Sequence, residues 1–206
     1  MIRNIVFDMG GVLVEYQPDR VVREFAEDEA ESRAVCTSVF VSPEWIMLDM
    51  GVISEEAALE RMQARLETEH AKEVAAKCLA HWHEYNMWPK EGAGELVRWI
   101  KDQGYGLYLC SNASLRLLEC YRQVIPGIEL FDGVLFSAEE KCMKPQKEMY
   151  GHLFERFNLK PEECFFIDDL QNNIDGARAV GMDGYCLADG DLKKLAQHLK
   201  TLGQPV

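Results

Sequence analysis

Three short stretches place reactive side chains where an apolar run stops, and a fourth follows soon after one. "IVFD" ends on Asp8 and runs into Gly10 and Gly11. "LCSN" ends on Ser111 and Asn112, "EEKCMK" on Lys144, and "FFIDD" on the adjacent acids Asp168 and Asp169. Their chemistries complement one another. Asp8 and Asp169 offer the hard carboxylate oxygens that Mg²⁺ takes a few at a time while keeping several waters. Ser111 and Asn112 are neutral donors suited to phosphoryl oxygens, and Lys144 is a compact positive charge. Backbone amides from Met9 to Val12, made approachable by the glycines, can cradle an anion. Taken singly, each stretch has a plainer account. Asp8 at such a turn is a nucleophile, a metal ligand or an ordinary turn acid. Ser111 and Asn112 also read as turn residues, and Lys144 as a solvated lysine. Asp168 and Asp169 are harder to dismiss, because neighbouring carboxylates repel. Taken together in this order, the four make packing alone an improbable account. Asn173, four residues after Asp169, shares its face if "LQNNIDGARAV" is helical, and can orient Asp169 or Lys144.

These residues need a frame that brings strand ends together. Five runs read as short buried strands, at 2–8, 105–111, 133–137, 164–168 and 184–188. Helical patterns lie between them: Tyr150, Leu153, Phe154 and Phe157 share one face, as do Leu192, Leu195, Leu199 and Leu202. Gly104 and Gly181 stand where helices end. Alternating strands and helices predict an α/β fold, a parallel sheet with helices on both faces. In such sheets ligands bind beyond the carboxyl ends of the strands, where all four stretches fall. Residues 17–88 break the rhythm. They carry helix formers and no convincing strand. Ser54 with Glu55 and Glu56 marks a helix start, and Leu59, Met62 and Leu66 give it an apolar stripe. The expected organisation is a core of 1–16 and 89–206 with a helical insertion at 17–88, and a return linker at Pro89 and 91–94.

The chain has 206 residues, 48% of them apolar, and a net charge of −13, which fits a soluble globular protein and makes nucleic acid and anionic membrane surfaces poor partners. An anionic substrate therefore needs local cations. The seven cysteines contain no C-x-x-C pair and suggest free thiols in a cytoplasmic protein, with Cys110 and Cys164 as buried fillers. No signal peptide or membrane span is expected.

The set "VFDMGGVL" (6–13), "LCSNAS" (109–114), "KCMKPQKEMY" (141–150) and "FFIDDLQNNIDGARAVGM" (165–182) resembles the haloacid dehalogenase-like hydrolases. The helical insertion resembles the cap of their subfamily I. The resemblance implies a Rossmann-like core, Mg²⁺ and an aspartyl-phosphate intermediate. It implies Asp8 as nucleophile and metal ligand, with the Gly10 carbonyl and Asp169 as further ligands and Asp168 joining through water. It implies that Gly11, Ser111, Asn112 and Lys144 hold the phosphoryl group. The expected partner is a small phosphorylated metabolite, handled by a monomer or weak homodimer.

One departure is informative. Most phosphatases of this family carry a second aspartate two residues after the nucleophile, as general acid and base; here that position is Gly10. Such help is worth roughly 10²–10⁴-fold. Three accounts follow: a leaving group that needs little protonation, such as an anomeric sugar, aryl or acyl phosphate; a proton from water or Glu15; or poor catalysis. Phosphomutases rely on the missing acid and are disfavoured. The chain is similar to the branch of α-D-glucose-1-phosphate phosphatases, including "GVISEEA" (51–57), which points to a sugar phosphate. The alternatives are a metal-independent haloacid dehalogenase and a non-catalytic binding module. Trp45, Asp49, Trp82, His83 and Tyr85 are the candidates for substrate contact from the insertion.

Overall fold

Every second residue of the first strand belongs to a different core. In β1 (Asn4–Phe7), Ile5 and Phe7 pack on one side of the sheet and Val6 on the other. Phe165 and Ile167 divide from Cys164 and Phe166 in the same way in β6 (Cys164–Asp168). A strand buried on both faces has no polar side, which is why these segments read as unbroken apolar runs. A computed structural model describes residues 1–203.

β1 pairs in parallel with β4 (Gly106–Ser111) and β6; β4 continues to β5 (Gly133–Phe136) and β6 to β7 (Asp183–Cys186). The resulting order is β5-β4-β1-β6-β7. One face is covered by α6 (Ala93–Asp102), α7 (Leu117–Val124) and α11 (Leu192–Leu199). The other is covered by α9 (Lys147–Phe157) and α10 (Gln171–Ala179), with a four-residue turn of helix, α8 (Ser137–Glu140), after β5. This is the expected α/β fold, with strand boundaries within two residues or so of those predicted. Gly104 and Gly181 both take positive φ just past a helix end, as expected.

Between the first and second strands of the main sheet come five helices: α1 (Arg20–Phe25), α2 (Glu29–Phe40), α3 (Pro43–Asp49), α4 (Glu55–Gln63) and α5 (Glu69–Tyr85). Asp28, Ser42, Ser54 and Thr68 each accept a backbone N–H at the start of α2 to α5, satisfying donors that would otherwise be orphaned. α4 stops at Gln63, so Met62 lies on its buried face but Leu66 packs from the turn that follows.

One element was not foreseen. β2 (Val14–Tyr16) pairs antiparallel with β3 (Met87–Pro89), joining the way into the helical segment to the way out. Three-residue strands are too short for alternation to register. Pro89, expected in a linker, closes this stem opposite Val14. The cysteines are free, and burial pushes the Cys110 and Cys164 thiols up to about 12 and about 11. Among the described residues no helix is long and apolar enough to cross a membrane.

Candidate active site

The chain runs from β1 to β4 and β5 on one side, then returns to place β6 and β7 on the other. The crevice of such a sheet opens where the order reverses, between the carboxyl ends of β1 and β6. Asp8 follows β1, Asp168 ends β6 and Asp169 comes next; Ser111 ends neighbouring β4. Lys144 arrives from the turn between α8 and α9.

Lys144 ties the group together. Its Nζ lies 2.8 Å from Asp8 Oδ1 and 2.6 Å from Asp168 Oδ2, and the residue is only 2% exposed. Asp168, wholly buried, is saturated. Its Oδ1 accepts Leu170 N–H and Asn173 Nδ2 at 2.9 Å each, and its Oδ2 accepts Asn173 again at 3.0 Å beside the lysine. Asn173 therefore orients Lys144 through Asp168, and its contact with Asp169 is not the one that forms. Asn112 grips the lysine's main chain: its Oδ1 accepts Lys144 N–H at 2.8 Å and its Nδ2 donates to the Lys144 carbonyl at 3.0 Å.

The charges do not balance. One oxygen from each of Asp8, Asp168 and Asp169 lies within 4.8 Å of the others, against the single ammonium of Lys144. Burial, and then the Asp168 charge, outweigh Lys144 and push the Asp8 carboxyl up to about 6. Asp169 is raised by the same two causes. Burial alone would lower Lys144, but the two aspartates hold it above the ordinary lysine range. Two uncompensated negative charges on hard oxygen donors are what a divalent cation such as Mg²⁺ would neutralise. With Asp168 committed to Lys144 and Asn173, Asp8 and Asp169 are the carboxylates free to ligate it.

A family model of the haloacid dehalogenase-like hydrolases matches residues 2–181. The chain belongs to that family. A sesquiterpene phosphatase of Aspergillus oryzae is 28% identical over 190 residues, covering 89% of each chain. A phosphorylated carbohydrates phosphatase of Thermotoga maritima is 24% identical over 186 residues, covering 87% of this chain and 82% of the relative. The crystal structure of a HAD family enzyme of Bacteroides thetaiotaomicron, in complex with magnesium and inorganic phosphate, has the same fold. Its TM-score is 0.73 at 20% identity, over 90% of this chain and 94% of that one.

In this hydrolase the site opens into a cavity of about 210 Å³. Asp8, Gly10, Ser111, Asn112 and Lys144 line it from the core, and Trp45, Asp49 and Trp82 from the helical segment. His83 and Tyr85 do not reach it; Tyr85 packs edge-on against Phe25 instead. Glu15 does not line it either, because its carboxylate pairs with Lys90 at 2.9 Å. Tyr16, Met87, Leu117 and Leu170 also line it and were not singled out from sequence. Tyr16 and Met87 belong to the unforeseen stem, and Leu117 starts a helix whose pattern alone reads as core.

Gly11 faces Asp169. A Cβ there would stand 2.5 Å from Asp169 Oδ2, at a φ of +70° that favours glycine. Gly10 has no such constraint, since a Cβ would meet nothing within 4 Å. Gly11→Ala should therefore cost about 1–2 kcal/mol and lower the unfolding temperature by roughly 2–8 °C, while Gly10→Ala leaves it nearly unchanged. Equal thermal shifts for the two variants would contradict this reading of the turn.

Proposed function

We propose that the protein is a Mg²⁺-dependent phosphomonoesterase acting through an aspartyl phosphate on Asp8. The observation that carries the proposal is the buried constellation at the cavity floor, in which a carboxylate, a lysine and two further acids converge on a space of substrate size. Asp8 attacks phosphorus, the ester oxygen leaves, and water then cleaves the acyl phosphate. Lys144 supplies positive charge to the phosphoryl oxygens. The Ser111 hydroxyl and main-chain amides near Asn112 donate to the same oxygens; the Asn112 side chain is occupied with Lys144, and the Gly11 N–H expected in the cradle is taken up by the Val14 carbonyl at 2.8 Å. Mg²⁺, held by Asp8, Asp169 and the Gly10 carbonyl with Asp168 behind, would neutralise charge on the transferring group. Residues 17–88 act as a cap over a core of 1–16 and 89–206, excluding water from the reaction.

The substrate on this reading is a small metabolite with one phosphate, because Lys144 is the one basic side chain on the cavity wall among the described residues. A sugar phosphate is supported by the Thermotoga maritima relative and by the aromatic wall residues Trp45 and Trp82. Val14, Met87 and Leu117 on the same walls favour a second reading, the phosphate of an apolar alcohol, and the Aspergillus oryzae relative supports it. A phosphate-release screen over both classes, with and without Mg²⁺, tests the proposal. The expected result is release that stops when the metal is chelated. Halide release from 2-haloacids without metal, or no turnover of any ester, would replace it with the dehalogenase or binding-module reading.

A further inference from the structure

Phosphate-ester cleavage leaves an alkoxide unless a proton meets it, and Gly10 cannot give one. Among the described residues four titratable side chains line the cavity: Asp8, Tyr16, Asp49 and Lys144. Asp8 and Lys144 are paired to each other and face phosphorus. The Tyr16 phenol is pushed well above its usual value by burial and by the Asp49 charge, which makes it a poor donor. Glu15, the acid considered from sequence, is held by Lys90. Asp49 remains.

Asp49 is also well placed. It ends α3, and its backbone is tied to the loops of the core that carry the site. Its carbonyl accepts the Ser137 hydroxyl at 2.5 Å, and Ser137 Oγ in turn accepts Ala113 N–H at 2.9 Å, two residues beyond Ser111. Two residues after Asp49, the Gly51 carbonyl accepts Lys141 Nζ. Arg116, in the loop leading to α7, pairs with Glu55 at the start of α4. The segment is thus docked with Asp49 on the cavity wall, beside Trp45 and Trp82. Burial pushes that carboxyl up to about 7, against the Ser114 backbone N–H that favours its charge. A group so placed exchanges its proton near neutrality.

We propose that Asp49 is the general acid and base of this hydrolase, delivered from the helical segment in place of an aspartate at position 10. The assignment rests on the phosphatase reading above. In the first step the Asp8 Oδ–P bond forms, the P–O bond to the alcohol breaks, and the Asp49 carboxyl gives its proton to the departing oxygen. In the second, Asp49 carboxylate takes a proton from water as the water oxygen bonds to phosphorus, and the P–O bond to Asp8 breaks. Protons and bonds balance over the two steps, leaving alcohol, phosphate and the starting enzyme.

The test compares Asp49→Asn with wild type, both full-length and with Mg²⁺, on an alkyl phosphate and on p-nitrophenyl phosphate, whose phenolate leaves without a proton. The expected result is a loss in kcat/KM of roughly 10²–10⁴-fold for the alkyl ester and little change for the nitrophenyl ester. The nitrophenyl reaction should also show a burst, because the second step loses its base. Thermal unfolding checks the fold. An Asp whose folded pKa is raised costs stability as pH rises from its ordinary value towards about 7, so the Asn variant should gain on wild type between pH 4 and pH 8. An equal loss in kcat/KM on both esters, or none on either, would overturn the assignment. Failure of the underlying phosphatase reading looks different, since wild type would then cleave neither ester.

Discussion

Asp8→Asn should abolish phosphate release, by roughly 10⁴–10⁶-fold in kcat, while leaving the protein folded. The amide is nearly isosteric and its oxygen still accepts from Lys144 Nζ, now 2.8 Å from the carboxylate. It lacks the charge and nucleophilicity to bond to phosphorus. Stability should not fall, because burial and the Asp168 charge already disfavour the ionised form of Asp8. Thermal unfolding and a rapid acid quench with labelled ester read the two halves of the expectation. The wild-type chain should trap phosphoprotein during turnover and the variant none. If the variant keeps more than about a tenth of the activity, a water must be attacking phosphorus directly and the covalent step on Asp8 is wrong.

Lys144→Met should cost both activity and stability. The ammonium lies between Asp8 and Asp168 at 2.8 and 2.6 Å, in a setting where the lysine is 2% exposed and Asp168 is wholly buried. A thioether leaves those two carboxylates facing each other. Breaking a buried pair from one side costs about 3–5 kcal/mol, or roughly 6–20 °C in unfolding temperature for a chain of this size. The deficit should shrink on acidification. Asp8, already at about 6 in the intact site, takes up a proton as pH falls, and the repulsion goes with its charge. Loss of one preorganised positive group should lower kcat by roughly 10²–10³-fold besides. Unfolding curves at pH 5 and pH 8, with phosphate release at saturating ester, check the prediction. A deficit that is the same at both pH values would mean that Lys144 stabilises by packing its stem, for instance over the Phe166 ring 5.1 Å away, and not by its charge.

Much of this protein was legible without coordinates, for a local reason. A strand buried on both faces must be apolar throughout, so Ile5 to Phe7 and Cys164 to Ile167 announce themselves, and the residue that breaks each run marks the strand's carboxyl end. In a parallel sheet those ends share one edge. Asp8, Ser111 and Asp168–Asp169 could therefore be read as one site from chain order alone, with Lys144 following β5 by one short helix. The helical character of 17–88, and the cap of α4 at Ser54, also follow from neighbours within a turn or two.

What the sequence left open depends on contacts between residues far apart in the chain. Whether Asn173 serves Asp169 or Asp168 is settled by the direction α10 leaves β6, and no spacing rule encodes it. The stem of β2 and β3 joins residues more than seventy positions apart through three residue pairs, too few for a pattern to show. From sequence Glu15 is the candidate proton source and Asp49 a candidate for substrate contact. The β2–β3 stem sets Glu15 beside Lys90, and α3 sets Asp49 into the cavity wall. A side chain's type is written in its codon, but its pKa and its reach are set by what the rest of the chain packs around it, and desolvation in particular exists only once the fold has closed.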